Sequence, residues 1–239
     1  MPRRKRLSSP SSLPKSIKQA KERATKASRL LHKEYGSPRH NNKRNPFDEL
    51  VFIILSLMTT HHSYNRVYKS LKKKIRSWDA LLGIRLNSLK KLIKDGGLSD
   101  QKARNFIRIA KVLNRDFGRV TLSPLKDLSD SEAEKYLTSL PGVGTKTAKC
   151  ILMYSLNRQV LPVDTHVWRI ANRLGLIDKK IPYSSVHQKI EEVVTPAERY
   201  SFHVNAISHG RKVCLAVRPR CLKCCLFHIC PSGAKFQGF

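Results

Sequence analysis

Apolar residues recur along most of this chain at the three- and four-residue spacing of an α-helix. From Ser16 to Tyr35, Ala20, Ala24, Ala27, Leu30 and Leu31 line one face before Gly36 and Pro38 stop the run. Pro46 opens a nearly continuous apolar stretch, Phe47 to Met58, which predicts a buried helix. Gly96-Gly97 breaks the chain ahead of Ser99 to Phe117, where Ala103, Phe106, Ile107, Ala110, Val112 and Leu113 keep helical spacing. Ala133, Tyr136, Leu137 and Leu140 follow at i, i+3, i+4 and i+7, with Asp130 as the expected N-cap. Val167, Ile170, Ala171 and Leu174 mark another amphipathic helix. No segment alternates as a strand would. The pattern predicts an all-α fold with short loops at Gly, Pro and Asn. Residues 1–15 are basic, then Ser/Pro-rich, and read as a disordered tail.

Charge narrows the class of partner. The 239 residues suffice for one large domain or two small ones and carry a formal net charge of +30. Only fourteen of the 47 Lys and Arg residues fall within the first 45 positions, so the basic surface belongs to the folded part as well. Such an excess predicts a polyanionic partner, nucleic acid first and an anionic membrane surface second. The longest uncharged apolar run, Leu50 to Thr60, is too short for a bilayer span of about 20 residues. No apolar signal core follows the basic start, so a soluble intracellular protein is expected. Arg3-Arg4-Lys5-Arg6 reads equally as a nuclear address, a phosphate contact or a solvated arm.

Four cysteines are concentrated as Cys214-x6-Cys221-x2-Cys224-x5-Cys230, with only Cys150 and Cys225 outside the set. A disulfide framework would spread its cysteines along the chain. Four thiolates in so short a segment suit tetrahedral zinc or an iron–sulfur cluster. Only one Cys-x2-Cys knuckle is present, and the wider outer spacings favour the larger object without excluding zinc.

A glycine-rich turn, Leu140-Pro141-Gly142-Val143-Gly144-Thr145-Lys146-Thr147-Ala148, joins two predicted helices. Gly142 and Gly144 can adopt positive φ and let backbone N–H groups approach a ligand. The next helix begins at once, adding its N-terminal N–H groups and dipole, a phosphate-binding arrangement that needs no base contact. Gly142, Val143, Gly144, Thr145 and Thr147 are the candidate DNA contacts. A plain αα-turn is the alternative, and the net charge favours the DNA reading.

The turn, then Pro162-Val163-Asp164-Thr165-His166, then His209-Gly210-Arg211 leading into the four cysteines, resembles the endonuclease III branch of the helix-hairpin-helix DNA glycosylases. Gly97-Leu98 followed by Lys102-Ala103 fits the same pattern, and the likeness runs from about Pro46 to Pro231. It implies a six-helix barrel over 46–164 containing the helix-hairpin-helix (about 130–157), and a second domain of 16–45 with 165–239. It also implies a [4Fe–4S] cluster on Cys214, Cys221, Cys224 and Cys230, with Cys225 a bystander, and a monomer acting on damaged or abasic double-stranded DNA. Lys146 matches the nucleophile, and Asp164 the carboxylate that steadies positive charge on the sugar. Without the likeness, Lys146 would read as one more phosphate contact and Asp164 as a helix N-cap. Arg218, Arg220 and Lys223 in the cysteine loops are further phosphate contacts or ordinary solvated charge.

The pattern breaks after the apolar helix. Where the family has Leu-Ser-x-Gln-x-Thr-Asp, this chain has Leu55-Ser56-Leu57-Met58-Thr59-Thr60-His61. The glutamine that fills the space of a flipped base is Met58, so Met58 is either a base-pocket residue or core filler. The family's preference for oxidised pyrimidines therefore does not carry over. His61 and His62 diverge on a helix, which favours loop or DNA contacts over a metal pair. The expected activity is a base excision repair DNA glycosylase with AP-lyase activity. The alternatives are a glycosylase in which Asp164 activates water, and a cluster-bearing DNA-binding protein without catalysis.

Overall fold

The computed structural model describes residues 17–37, 42–178 and 180–236. The expected disordered tail lies outside them. Ten α-helices occur among the described residues: α1 (Ile17–Tyr35), α2 (Pro46–Ser56), α3 (His61–Lys74), α4 (Leu86–Leu92), α5 (Ser99–Phe117), α6 (Asp130–Ser139), α7 (Thr145–Ser155), α8 (Thr165–Leu174), α9 (Tyr183–Val193) and α10 (Arg199–Lys212). Short 3-10 turns link them, and no strand occurs among the described residues. None of the helices is long and apolar enough to cross a membrane. The chain forms two compact units, Asn41–Arg158 and Met1–His40 with Gln159–Phe239.

The first unit is built around α2, α5 and α7. Asn45 caps α2, its side chain accepting from the N–H groups of Phe47 and Asp48, with Pro46 at the first helical position. Leu50, Ile54, Phe106, Leu113 and Ile151 are fully buried in its core. Glu49 is buried too, and its carboxylate accepts from Asn42 Nδ2 (2.6 Å) and Lys43 N (2.7 Å). Burial raises its pKa against those hydrogen bonds and the nearby positive charges of Lys43 and Lys146.

The apolar run Phe47–Met58 does not stay helical to its end. α2 stops at Ser56, Leu57 is extended, and Met58 turns left-handed at φ 53°. Met58 is 84% exposed, which removes the core-filler reading. Further on, Ser129 rather than Asp130 caps α6. Its hydroxyl accepts from Glu132 N, while the Glu132 carboxylate takes Ser129 N (2.9 Å), a reciprocal capping box. A hydroxyl three residues before a glutamate meets that geometry, whereas Asp130 is already inside the helix.

In the second unit α10 packs on α1 and α8. Ala20, Ala24 and Ala27 are buried on α1, so small side chains allow close packing there, while Phe202, Ile170 and Ile190 fill the centre. After α10 the cysteine segment has no α-helix, only the 3-10 turns Cys221–Lys223, Phe227–Ile229 and Gly233–Phe236. Leu226 ties it to the core, being 2% exposed.

Replacing Ser129 with Ala removes one half of the capping box. Urea unfolding of Ser129→Ala is expected to show a loss of about 1 kcal/mol, whereas Asp130→Ala, off the cap, should lose less.

Candidate DNA-repair site

In the hairpin, Leu140 ends α6 in extended backbone and Val143 N donates back to Leu140 O (3.1 Å), closing the turn. Gly142 sits at φ 78°, and an added Cβ there would collide with the Asn105 side-chain amide of α5. Gly144, at φ −97°, is the ordinary N-cap of α7 and has open space around it, so only one of the two glycines needs its freedom. The N–H groups of Thr145, Lys146 and Thr147 are the first of α7 and have no intrahelical acceptor. They form, with the positive end of the dipole, an anion-binding end.

Val143 and Thr147 are each 6% exposed, so their side chains serve the interior, and the Val143 N–H is already spent on Leu140. Thr147 can meet a phosphate only through its backbone. Lys146 is half-buried in the first turn of α7, while Lys149, one turn on, is buried and paired with Glu134 (3.0 Å).

Asp164 belongs to the second unit and caps α8. Its Oδ1 accepts from His166 N (2.9 Å) and Val167 N (2.8 Å). The capping interaction holds the carboxylate at one orientation and leaves Oδ2 outside that pair of bonds. Burial lowers the pKa of His166, and the Asp164 charge opposes the shift. Gly210 on α10 passes so close to His166 that a Cβ there would lie 2.7 Å from His166 Nδ1.

Helix α8 also bolts down the cysteine segment. Arg169 donates to Cys214 O (2.9 Å) and Gly210 O (2.9 Å), and Arg173 to Cys214 Sγ (3.2 Å), Leu215 O (2.7 Å) and Ala216 O (3.0 Å). Cys214, Cys221, Cys224 and Cys230 line one cavity of about 320 Å³, its mouth included, together with Arg173, Phe227 and Phe236. Cys225 is not among its lining residues. Burial pushes the Cys224 thiol up to about 12 and also raises Cys221 and Cys230. His209 Nε2 lies 3.3 Å from Cys224 Sγ, and its Nδ1 is 2.9 Å from the Tyr35 hydroxyl. Arg218, Arg220 and Lys223 are exposed on this segment.

One residue of the first unit was matched in sequence only as part of a motif. Lys102 is 3% exposed and donates to Leu55 O (2.8 Å), Leu57 O (2.7 Å) and Gly96 O (2.7 Å). Burial pushes its pKa down to about 8. Its position one turn before Phe106, on the apolar stripe of α5, was the available signal of burial. Beside it stand two exposed apolar residues in left-handed backbone, Met58 (φ 53°) and Leu98 (φ 48°).

Comparison with known proteins decides the family. The model of the HhH-GPD superfamily of base excision DNA repair proteins matches residues 51–196. The chain belongs to that superfamily. Endonuclease III of Bacillus subtilis is 33% identical over 192 residues, 80% of this chain and 83% of that one. A candidate DNA glycosylase of Arabidopsis thaliana is 34% identical over 167 residues, 70% of this chain, which spans 57% of the length of that relative. A solved structure of a trapped endonuclease III–DNA covalent intermediate superposes with a TM-score of 0.78 at 28% identity, covering 90% of this chain and 97% of the other. HhH-GPD membership and the all-helical fold thus agree with the resemblance carried by the hairpin.

The two hairpin glycines separate by experiment. Gly142→Ala must hold an L-residue at positive φ and displace Asn105, and urea unfolding should show a loss of at least about 1–2 kcal/mol. Gly144→Ala, with neither constraint, should lose less.

Proposed function

We propose that this chain is a DNA glycosylase and AP lyase of base excision repair, with Lys146 as nucleophile and Asp164 as its partner carboxylate. The observation that carries the reading is Lys146 itself: a half-buried amine in the first turn of α7, directly behind the Gly142 turn and among N–H groups suited to phosphate. Membership of a base excision repair family and likeness to a protein solved as a covalent DNA intermediate support it. The endonuclease III relatives do not favour water activation by Asp164 alone, nor binding without catalysis.

The chemistry follows from an amine beside a sugar. A damaged base must leave the stack to be reached. The Lys146 Nζ lone pair attacks C1′, the C1′–N bond breaks, and the base departs with its bonding electrons and takes up a proton. The ammonium so formed gives up one proton, which passes to O4′ as the C1′–O4′ bond breaks and the sugar ring opens, and a protonated Schiff base joins Nζ to C1′. Loss of the C2′ proton then expels the 3′ phosphate by β-elimination, and water releases the lysine. Asp164, held by its cap bonds, offers a fixed negative charge to the cationic sugar and an acceptor for protons. Met58, exposed at the end of the α2 loop, is the side chain available to fill the space of the displaced base. It is apolar and adaptable where a glutamine would be polar.

Cys214, Cys221, Cys224 and Cys230 are proposed to hold a [4Fe–4S] cluster. Their four thiols line one cavity, and four thiolates are the donor set such a cluster takes; among the described residues no group of three or more His, Cys, Asp or Glu converges on a single ion. Bound there, the cluster supplies covalent cross-links to a segment that has little secondary structure of its own. Arg173 supplies a positive charge and an N–H to Cys214 Sγ.

Borohydride trapping on duplex DNA with an abasic site tests the lysine. Wild type should form a covalent adduct and Lys146→Ala none, while Asp164→Asn should slow base release by about 10²–10⁴-fold. A wild type that never traps would refute the lyase assignment. Iron analysis tests the cysteines: Cys214→Ser and Cys230→Ser should lose iron and visible absorption, and Cys225→Ser should keep both. Stoichiometric zinc in the wild type would defeat the cluster assignment. DNA affinity should fall steeply with salt, as expected of a +30 chain.

A further inference from the structure

An ammonium that donates to three carbonyls and is almost wholly buried is a costly device. Lys102 has three N–H donors and presents them to Leu55 O, Leu57 O and Gly96 O. Among the described residues no carboxylate forms an ion pair with it. Leu55 and Leu57 lie at the C-terminal end of α2, where unpaired carbonyls and the negative end of the dipole accumulate. Gly96 ends the 3-10 turn Lys94–Gly96. One side chain on α5 therefore ties two separate loops together. An apolar residue of similar length would avoid the desolvation cost but would take the donor from all three carbonyls, so the lysine serves to join the two loops.

What the two loops share is their tips. Met58 follows Leu57, and Leu98 stands two residues after Gly96. Both are apolar, both are at positive φ, and they are 84% and 53% exposed. Left-handed backbone costs an L-residue about 1–2 kcal/mol, and it persists only where the surroundings fix it. The loops meet at the backbone: a Cβ on Gly97, itself at φ 65°, would lie 3.2 Å from Met58 O. α5 begins directly after Leu98 and places Asn105 against Gly142, seven residues or about 10 Å along the helix. The tips and the hairpin are thus set on one rod.

We propose that Lys102 is a positioning residue for lesion recognition, its ammonium locking the Leu55–Leu57 and Gly96 carbonyls so that Met58 and Leu98 project as one rigid apolar pair. The inference rests on the glycosylase reading above. Lys102 touches neither sugar nor base. Its effect belongs to the step in which a stacked base is displaced, not to attack by Lys146.

The test uses the full chain and two duplex probes. One carries thymine glycol, uracil or an alkylated adenine, taking whichever the wild type releases. The other carries a preformed abasic site. Single-turnover base release by Lys102→Met should fall about 10- to 100-fold, as for a misplaced recognition group. Borohydride trapping and nicking at the abasic site, measured at saturating enzyme, should change by less than about threefold, since no base has to be displaced there. Lys102→Gln, with two donors and no charge, should lie between, and serves if Lys102→Met does not fold. Met58→Ala should also lose base release, and in that assay the double variant with Lys102→Met should be no worse than either single change. Equal loss on both probes, or additive loss in the double variant, would make Lys102 a merely structural residue and overturn the proposal. So would undiminished base release by Lys102→Met. A wild type that neither releases a base nor traps would instead overturn the glycosylase reading itself, and this inference with it.

Discussion

Backbone carbonyls, more than carboxylates, neutralise the inward-turned cations of this protein. A chain with 47 Lys and Arg residues against 17 Asp and Glu leaves most of its cations without an acid. It uses the unpaired C=O groups at helix ends and loops instead. Arg173 and Arg169 clamp the chain around Cys214. Arg199 takes the carbonyls of Gln159, Glu191 and Val194, Arg158 those of Lys126 and Leu128, and Arg23 that of Leu174. Lys102 takes three at once. Hydrogen bonds from charged donors contribute about 1.5–3 kcal/mol each. The carbonyls would otherwise remain unsatisfied where helices stop.

This habit ties loops to helices in places where little else would. The cysteine segment has no α-helix, and its cavity wall is held from α8 by two arginines one turn apart, at i and i+4. The same helix begins at Asp164, whose carboxylate is fixed by the first N–H groups of α8. One short element therefore orients the acid at its N-terminus and the thiol-bearing chain along its side. In the other unit α5 plays the equivalent part, with Lys102 gripping the tip loops and Asn105 set under the hairpin turn. Rigid helices carry the positions, and helix ends and loops carry the groups that would meet DNA.

The fold was legible because helical periodicity and breakers are local. Gly96-Gly97 marked the start of α5 ahead of a regular apolar stripe, and the run from Pro46 could only be buried. The hairpin, the cysteine spacing and the Pro162–His166 motif were legible as patterns of residue type. Tertiary effects were not. Leu57 and Met58 read as a continuation of the apolar helix, because composition does not reveal that Lys102 seizes the carbonyls at its end. Asp130 read as the cap because its side chain qualifies, yet the reciprocal bond from Glu132 selects Ser129. Glycine freedom was legible at the hairpin only as a possibility. The neighbouring Asn105 shows that Gly142 needs it and the backbone shows that Gly144 does not.

Charge and shape divide the work of recognition in a way that follows from their range. Electrostatic attraction reaches about 8 Å at physiological salt and sees every phosphate alike, so a net charge of +30 would draw the chain to DNA without choosing a position. Choice needs contact with bases, and the groups available for it are short-ranged and apolar. Met58 and Leu98 have such side chains, and their left-handed backbone projects them from tight turns instead of laying them along a helix. A flexible apolar tip gains little if it is free to fold back on the surface, because the ordering cost then returns on binding. Holding the turns with a buried ammonium meets that cost during folding, before DNA arrives. On the proposal above, the same three hydrogen bonds that satisfy loop carbonyls would fix the tips, so that one buried lysine of α5 would join the fold to the choice of base.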